Sequence, residues 1–514
     1  MEYIIVQAGG RGSRLHHLTK NKPKALVSVY GMPLIFKLFQ QHPSSKFIII
    51  GDYKIEVFKK YLKNFSNVDY KLIKANKKGT CSGVQQALKF IPKNKFFALM
   101  WCDLYLKEPI PFKKIITKDQ NYIGLSKEFS CRWMFKNNKL NEKRSKKYGV
   151  AGIYIFKNKA EIIDVPQEGE FCNYLKNKNT LFQSFELKNI VEIGTIDDYK
   201  KFTGAFLNTR PFNNIRLEKK YIIKTPTNKQ GQLIAKKERS WYKWVNQYKF
   251  NFIPKIYEYS PLKMQRINGR NIFDSHFSNN EKYRMISQII KNLKTIHNCK
   301  HKTSVNSIYA NDKEVILNKT KRRLDSVIDL IPFSSNQFIY INGKKCINFY
   351  KKWDLVINIS SPFLGKNNYS PIHGDLTFSN ILINKKKKIF FIDPRGYYGS
   401  SKITGDIDYD WSKLFYSISG NYDQFNAKNF TLEFQENSVL LKIHTNGWEK
   451  MTTHLFQEIG ATTAQKDKIR FYHAIIWLSL TSYAWDDYDS ICGSFYNGIL
   501  LMQKVYEKLF KKTT

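Results

Sequence analysis

Between residues 373 and 396 the chain sets an aspartate, an asparagine and a second aspartate around one loop and one short hairpin. The loop reads His373-Gly374-Asp375-Leu376-Thr377-Phe378-Ser379-Asn380, and Ile392-Asp393-Pro394-Arg395-Gly396 follows closely. Phosphoryl transfer from a nucleotide uses such a set: one carboxylate holds the acceptor hydroxyl and takes its proton, while an amide oxygen and another carboxylate hold magnesium on the phosphates. A second nucleotide signature opens the chain, Gln7-Ala8-Gly9-Gly10-Arg11-Gly12-Ser13-Arg14-Leu15. Glycines at 9, 10 and 12 let a backbone pass close to a phosphate chain and offer it N–H donors. Two enzymes on one polypeptide is the most economical interpretation.

These loops need elements to position them. Residues 1–205 alternate apolar strand-like runs (3–6, 46–51, 96–101) with helical stretches (33–41 and a helix through Tyr61-Leu62), the pattern of an α/β domain with a mainly parallel sheet covered on both faces. Ligands of such sheets bind beyond the carboxyl ends of the strands, where Gly9 to Gly12 and Asp103 both fall. The chain changes character around residues 209–214. Residues 216–224 read as a hairpin and 233–248 as a helix. From about residue 280 helices are expected to dominate, broken only by the His-Gly-Asp segment and its hairpin. There is no internal repeat and no low-complexity linker.

The 514 residues suffice for three or so folding units at about 150 residues each. Hydrophobic residues make up 42%, which excludes a disordered chain. Lys and Arg number 85 against 42 Asp and Glu, a formal +43, a balance that attracts phosphates, nucleic acid or an anionic membrane surface. Lysine is spread along the whole chain among abundant Asn and Ile, as AT-rich coding would produce. No nucleic-acid module is recognisable, so no specific nucleic acid is expected as a partner, while peripheral association with an anionic membrane is compatible with the charge. Seven scattered cysteines without metal-ligand spacing point to a reduced, cytoplasmic protein. The first residues read as a strand entering a glycine loop, not as a signal peptide. The apolar stretch 474–485 is too short to cross a bilayer and reads as a buried helix.

The run GGRGSRLHHLTKNKPKALVSV resembles the signature of the sugar-phosphate nucleotidyltransferase family, including its cytidylyltransferases, over residues 1–205. Lys78-Gly79-Thr80 with Gly83 resembles the family's base-side loop, Trp101-Cys102-Asp103 its metal aspartate, and the run from Val191-Glu192 to Tyr199 its closing motif. The resemblance implies a Rossmann-like domain in which a substrate phosphate attacks the α-phosphorus of a nucleoside triphosphate and pyrophosphate leaves. Ala8, Gly9, Gly10, Gly12, Gly79 and Thr80 would bind the nucleotide, Arg14 and Lys24 would be catalytic, and Asp103 and Glu192 would hold Mg2+. Three positions depart from the family: Cys102 stands where glycine is common, Glu192 where aspartate is, and Glu142-Lys143-Arg144 replaces Glu-Lys-Pro. Lys143 is the expected substrate-phosphate contact.

HGDLTFSNIL followed by FFIDPRG resembles the aminoglycoside phosphotransferase and choline kinase group, which shares the protein-kinase-like two-lobed α+β fold. The resemblance covers roughly residues 210–510. It implies a phosphotransferase domain over 206–514, with a small lobe of about 206–270 and a large helical lobe of about 271–514. Asp375 would be the catalytic base, Asn380 and Asp393 the Mg2+ ligands, and Lys224 with Glu238 the pair that meets the nucleotide phosphates. Asp406, Asp408 and Asp410 resemble the group's supporting acidic stretch, and the run from Met264 to Gly269 its adenine-side hinge.

Together these imply a bifunctional enzyme: a small alcohol (polyol, sugar or choline-like) is phosphorylated with ATP, and the phosphate ester then receives a cytidylyl group from CTP. Such adducts feed surface polysaccharide and lipid decoration. Trp101, Trp133 and Tyr148 are candidates for an aromatic cage around a quaternary ammonium. The alternatives are a UTP- or GTP-using sugar-1-phosphate nucleotidyltransferase joined to an anomeric sugar kinase, and a basic nucleic-acid-binding protein with relic nucleotide folds.

Overall fold

A computed structural model describes residues 1–203, 213–274, 276–303 and 305–510. The chain divides into two compact units, Met1–Asn208 with Asp486–Tyr488, and Thr209–Trp485 with Asp489–Thr514. The expected junction at 205/206, and most of the stretch where the chain changes character, lie outside the described residues.

The first unit is mixed α/β around one large sheet. Four parallel strands run in the order Tyr70–Lys74, Lys46–Gly51, Tyr3–Gln7, Phe97–Trp101. Every residue of Tyr3–Gln7 is buried, as expected for a parallel strand covered on both faces, where apolar residues run continuously instead of alternating. Helices Leu34–Gln41 and Ile55–Phe65 bury Leu34, Ile35, Phe36, Leu38 and Phe39, and Phe58, Tyr61 and Leu62. Beyond Phe97–Trp101 the sheet turns antiparallel: Gly149–Phe156 pairs with it and in turn with Tyr122–Ser126 and Met134–Lys136. Gln7 stands opposite Trp101 in the parallel register, and the Cys102 N–H donates to the Gln7 carbonyl at 3.2 Å. The glycine loop and Asp103 therefore leave the sheet side by side.

The second unit opens with an antiparallel sheet ordered Asn213–Leu217, Tyr221–Pro226, Leu262–Gln265, Ile256–Tyr259, joined to the helix Lys229–Asn246. A three-stranded sheet follows, Gly269–Asn271 beside the hairpin Ile381–Asn384/Ile389–Phe391. Its core gathers Trp241, Ile286, Ile289, Ile290 and Leu293 with Leu376, Phe378, Ile381 and Phe391, so the loop that carries Asp375 is anchored by apolar side chains on both sides of it.

One expectation fails here. The region after residue 280 is not broken only by the His-Gly-Asp hairpin: Lys344–Ile347, Phe338–Ile341, Ser438–Ile443 and Phe430–Phe434 form a further four-stranded sheet. Phe338–Ile341 alternates exposed and buried residues, and Asn342 and Gly343 at the turn both take positive φ, 51° and 76°. An Asn-Gly pair in that conformation makes the tight hairpin turn matched to strand twist. Residues 474–485, expected as one helix, complete the helix Thr463–Leu480 and continue into a 3-10 turn, Thr481–Ala484. Among the described residues no helix is long and apolar enough to cross a membrane. Among the described residues no cysteine is joined in a disulfide.

Candidate active sites

In the first unit the chain must turn sharply after Tyr3–Gln7, and Gly12 does this at φ 66°. A Cβ there would lie 3.1 Å from the Lys24 Cβ, so glycine serves both the left-handed conformation and the close approach. Lys24 is buried, and its Nζ donates to Asp103 Oδ2 at 2.7 Å. Strand Ile190–Glu192 pairs antiparallel with Leu104–Leu106, setting Glu192 opposite Leu104, and the Ile193 N–H donates to the Asp103 carbonyl at 2.8 Å. Two carboxylates thus meet at one edge. Burial, then the neighbouring charge of Asp103, lifts the Glu192 carboxyl above its ordinary range, and Lys24 and Arg14 pull it back. Arg14 itself is exposed.

The Gly79-Thr80 loop is tied to the same edge: Gln7 Nε2 donates to the Thr80 carbonyl at 2.5 Å, and the Thr80 hydroxyl accepts from the Phe171 N–H at 2.8 Å. Ala8 is buried, with its N–H on the Ile50 carbonyl at 2.8 Å, while Gly10 is exposed with no heavy atom within 4 Å of where a Cβ would stand. Lys143 is different. It is exposed beyond the hairpin Met134–Lys136/Lys139–Asn141 and joins none of these groups through an ion pair among the described residues. Trp133 belongs to the hydrophobic core, its indole N–H directed to Glu170 (3.3 Å), and the Lys136 and Lys147 ammoniums already lie 5.3 and 5.5 Å from the Tyr148 ring centre.

In the second unit Lys224 is the meeting point. Its Nζ donates to both carboxylate oxygens of Glu238, each at 2.9 Å, and to Asp393 Oδ1 at 3.0 Å. Lys224 stands on Tyr221–Pro226 and the buried Glu238 on Lys229–Asn246. Burial alone would lower the lysine pKa; the Asp393 and Glu238 charges outweigh it and raise the pKa above its ordinary value. Asp393 itself holds φ 54°, a strained conformation for a residue with a side chain, of the kind that concentrates at functional sites.

The hairpin register explains how Asn380 joins it. Ile381 faces Phe391, and the Ile392 N–H donates to the Asn380 carbonyl at 3.0 Å, so Asn380 and Asp393 emerge at the same open end. Asn380 Nδ2 donates to the Asp375 carbonyl at 2.7 Å. That commits the amide nitrogen to the loop and leaves the amide oxygen for a ligand. An amide oxygen and a carboxylate here, and the two carboxylates Asp103 and Glu192 in the first unit, are all hard oxygen donors of the type Mg2+ selects. Both sets fit the ion.

Asp375 Oδ1 accepts from Lys413 Nζ at 2.9 Å. Its loop is braced from below by Asp410, whose Oδ2 accepts from the His373 N–H (2.8 Å) and whose Oδ1 accepts from the Gly374 N–H (2.7 Å). Gly374 has φ 79°, and a Cβ there would meet the Arg395 Cβ at 2.9 Å, so a side chain at 374 would displace the loop. His373 is a brace as well: its Nε2 meets the Ile392 carbonyl at 3.0 Å, and burial keeps the imidazole pKa low. Asp406 and Asp408 face away into a buried network with Lys468, at 2.6 and 3.1 Å. Lys413 was not anticipated from sequence; its only signal was a place in the acidic run GDIDYDWSKL.

Comparison with known proteins bears on the first unit. Residues 3–153 match the model of the Nucleotidyl transferase family, so the chain carries a nucleotidyl transferase domain at its N-terminus. The glucose-1-phosphate cytidylyltransferase of Salmonella typhimurium is 39% identical over 64 residues, 12% of this chain and 25% of that protein. The D-glycero-alpha-D-manno-heptose 1-phosphate guanylyltransferase of Campylobacter jejuni is 31% identical over 100 residues, 18% and 45%. The crystal structure of HddC from Yersinia pseudotuberculosis aligns over 40% of this chain and all of its own, at 23% identity and a TM-score of 0.35. The chain spans less than half the length of the curated relatives it matches.

Proposed function

We propose that the protein is a bifunctional enzyme: the second unit phosphorylates a small alcohol with ATP, and the first transfers a cytidylyl group from CTP to the resulting phosphate. The observation that carries the kinase half is Lys224 bonded at once to Glu238 and Asp393. A strand lysine, a helix acid and a loop acid come together from three distant parts of the chain beside the Asp375–Asn380 loop, as phosphoryl transfer from ATP requires. The family match supports the other half, and the relatives named for cytidylyl and guanylyl transfer to sugar 1-phosphates favour CTP, with GTP as its competitor.

In the kinase step Asp375 takes the proton of the acceptor hydroxyl as its oxygen attacks the γ-phosphorus, and Lys224 meets the phosphates of the departing ADP. In the nucleotidyl step the phosphate ester attacks the α-phosphorus, the bond to the β-phosphate breaks and pyrophosphate leaves. Arg14, Lys24 and the N–H groups around Gly9–Gly12 face the charge that develops. Mg2+, held by Asn380 and Asp393 in one site and by Asp103 and Glu192 in the other, would neutralise phosphate charge at both.

Incubation with ATP, CTP, magnesium and a panel of alcohols, followed by mass spectrometry, tests this. A CDP-alcohol that forms only when ATP is present is the expected product. A phosphorylated alcohol with no nucleotide adduct under any triphosphate would overturn the coupled pathway. A GDP or UDP adduct would overturn only the choice of base.

A further inference from the structure

Beside Asp375 the second unit gathers more positive charge than its carboxylates neutralise. Lys413 holds Asp375. Arg395, two residues past Asp393, donates its backbone N–H to the His373 carbonyl at 2.9 Å and packs against Gly374. Lys319 and Arg323 lie one turn apart on the helix Lys319–Asp325, and Arg323 Nη1 is fixed by the Ser479 carbonyl and hydroxyl at 2.9 and 3.0 Å. The charges of Arg395, Arg323 and Lys413 all bear on Lys319; after burial, the largest cause, they hold its ammonium well below the ordinary lysine range. Tyrosine rings line the same group: the Arg395 guanidinium is 5.2 Å from the Tyr397 ring centre and Lys413 Nζ is 5.8 Å from that of Tyr409.

Among the described residues Lys319, Arg323 and Arg395 form no salt bridge. The groups that favour these charges are Tyr397, which is hydrogen-bonded to Arg395, and Tyr409, then Asp375, held by Lys413, and Glu314, which pairs with Arg322. Lys319, Arg323 and Arg395 are half-buried and Lys413 is buried. Like charges so placed disfavour one another unless an anion joins them. ATP does not supply the obvious partner, because Lys224 already stands ready for its phosphates, and the charges set on Lys224 are those of Asp393 and Glu238.

We propose that the alcohol phosphorylated at Asp375 is itself an anion, a small hydroxy acid or hydroxyl-bearing phosphate ester whose negative group sits among Lys319, Arg323 and Arg395. This rests on the kinase reading of the second site. The acceptor oxygen bonds to the γ-phosphorus of ATP and the bond from that phosphorus to the β–γ bridging oxygen breaks. ADP leaves with the electron pair, and the hydroxyl proton goes to Asp375. A choline-like acceptor is disfavoured, since its cation would face four others.

The test follows ADP formation by the full chain with ATP, magnesium and one of glycerate, glycerol 3-phosphate, glycerol or choline, alongside inorganic phosphate binding by calorimetry. The expected result is turnover of an anionic alcohol with kcat/KM at least tenfold above glycerol and none with choline; whether glycerate or glycerol 3-phosphate is faster separates carboxylate from phosphate. Lys319→Met and Arg323→Met should each raise the KM for the anionic alcohol tenfold or more while the KM for ATP stays within twofold, and each should weaken phosphate binding. Arg323→Lys, which keeps the charge, covers the case in which Arg323→Met does not fold. Faster turnover of glycerol or choline, or a rise confined to the KM for ATP, overturns the proposal. If no alcohol of any charge yields ADP, the kinase reading fails, and phosphate binding still decides this one: equal or absent binding in wild type and variants overturns it.

Discussion

The two units bury acidic side chains to different extents. In the first the buried charged groups are Lys22, Lys24 and a single acid, Asp487, which pairs with Lys22 at 2.9 Å; the catalytic candidates Asp103 and Glu192 sit at a sheet edge. The second unit buries Glu238, Asp312, Asp406, Asp408, Asp410 and Asp423. A buried carboxylate is costly unless hydrogen bonds and cations surround it; Glu238, Asp406, Asp408 and Asp410 have them, whereas burial pushes Asp312 and Asp423 up to about 6. The result is a site whose geometry is fixed before any ligand arrives: Asp410 grips two backbone N–H groups, and Glu238 grips Lys224. At the first site Lys24 reaches Asp103, but Glu192 is left with a carboxyl pushed upward. That edge is completed by what binds to it, whereas the second is completed by its own interior.

The largest expected effects separate the units. Asp375→Asn removes the carboxylate that takes the acceptor proton and should lower alcohol-dependent ATP consumption by about two to four orders of magnitude, while pyrophosphate release with a pre-phosphorylated substrate is unchanged. Asp103→Ala should do the reverse. Loss of a metal ligand removes part of the several kcal/mol a bound ion supplies, so pyrophosphate release should fall on the order of a hundredfold or more while ATP consumption continues. Coupled assays of each half-reaction read both, and equal loss of both activities in either folded variant would show that the sites are not separate.

The contrast also governs what could be read from the chain alone. Three of the four parallel strands of the first unit were legible because each is a short apolar run, such as Ile4-Ile5-Val6 or Ile48-Ile49-Ile50, ending at a loop with glycine or aspartate, whereas the fourth, Tyr70–Lys74, is interrupted by lysine and has one buried residue. The sheet joining Phe338–Ile341 to Ser438–Ile443 was not, because its partners are about a hundred residues apart and only the local Asn342-Gly343 turn announces it. Asp375, Asn380 and Asp393 were legible because loop chemistry of that kind restricts residue type at fixed spacing. Lys413, Lys319 and Arg323 were not: in a chain with 85 basic residues a lysine carries almost no information until its burial and neighbours are known. Lys143, chosen by its place in a motif, lies exposed away from every ion pair described for the site.

A smaller effect tests whether the second site is rigid because of its buried acids. Asp410→Asn keeps shape but offers one acceptor oxygen where two are used. One of the N–H groups of His373 and Gly374 would then face an amide N–H instead of an oxygen, a cost of about 1–3 kcal/mol for the unsatisfied donor. A loop displaced by an ångström loses on the order of a hundredfold in rate. The expectation is a fall of ten- to a hundredfold in the kcat for ATP-dependent phosphorylation, with the KM for ATP little changed because Lys224 and Glu238 are untouched. A rise in that KM with constant kcat would show that Asp410 serves nucleotide binding instead of holding the Asp375 loop.

The least effect on catalysis and the clearest on stability belongs to Asp312. Its Oδ1 accepts from the Tyr369 hydroxyl at 2.6 Å and its Oδ2 from the Gly365 N–H at 2.8 Å. Burial, and then the charge of Asp406, push its carboxyl up from 3.8 to about 6. The folded value exceeds the unfolded one, so the stability tied to this group is fully present below pH 3.8 and is lost as pH rises through 6. Asp312→Asn removes that loss. It also leaves no donor stranded: the amide oxygen can take the Gly365 N–H, and the amide nitrogen can donate to Tyr369, whose hydroxyl then turns to the Ile308 carbonyl 3.3 Å away. A rise of that size in the carboxyl pKa corresponds to about 3 kcal/mol at most. The variant should therefore exceed wild type in urea stability of the second unit by up to about 3 kcal/mol at pH 8, with the gap shrinking steadily toward pH 5. A gap that does not change with pH would mean that the charge of Asp312 is fully compensated in the fold, and that this buried acid costs nothing to hold.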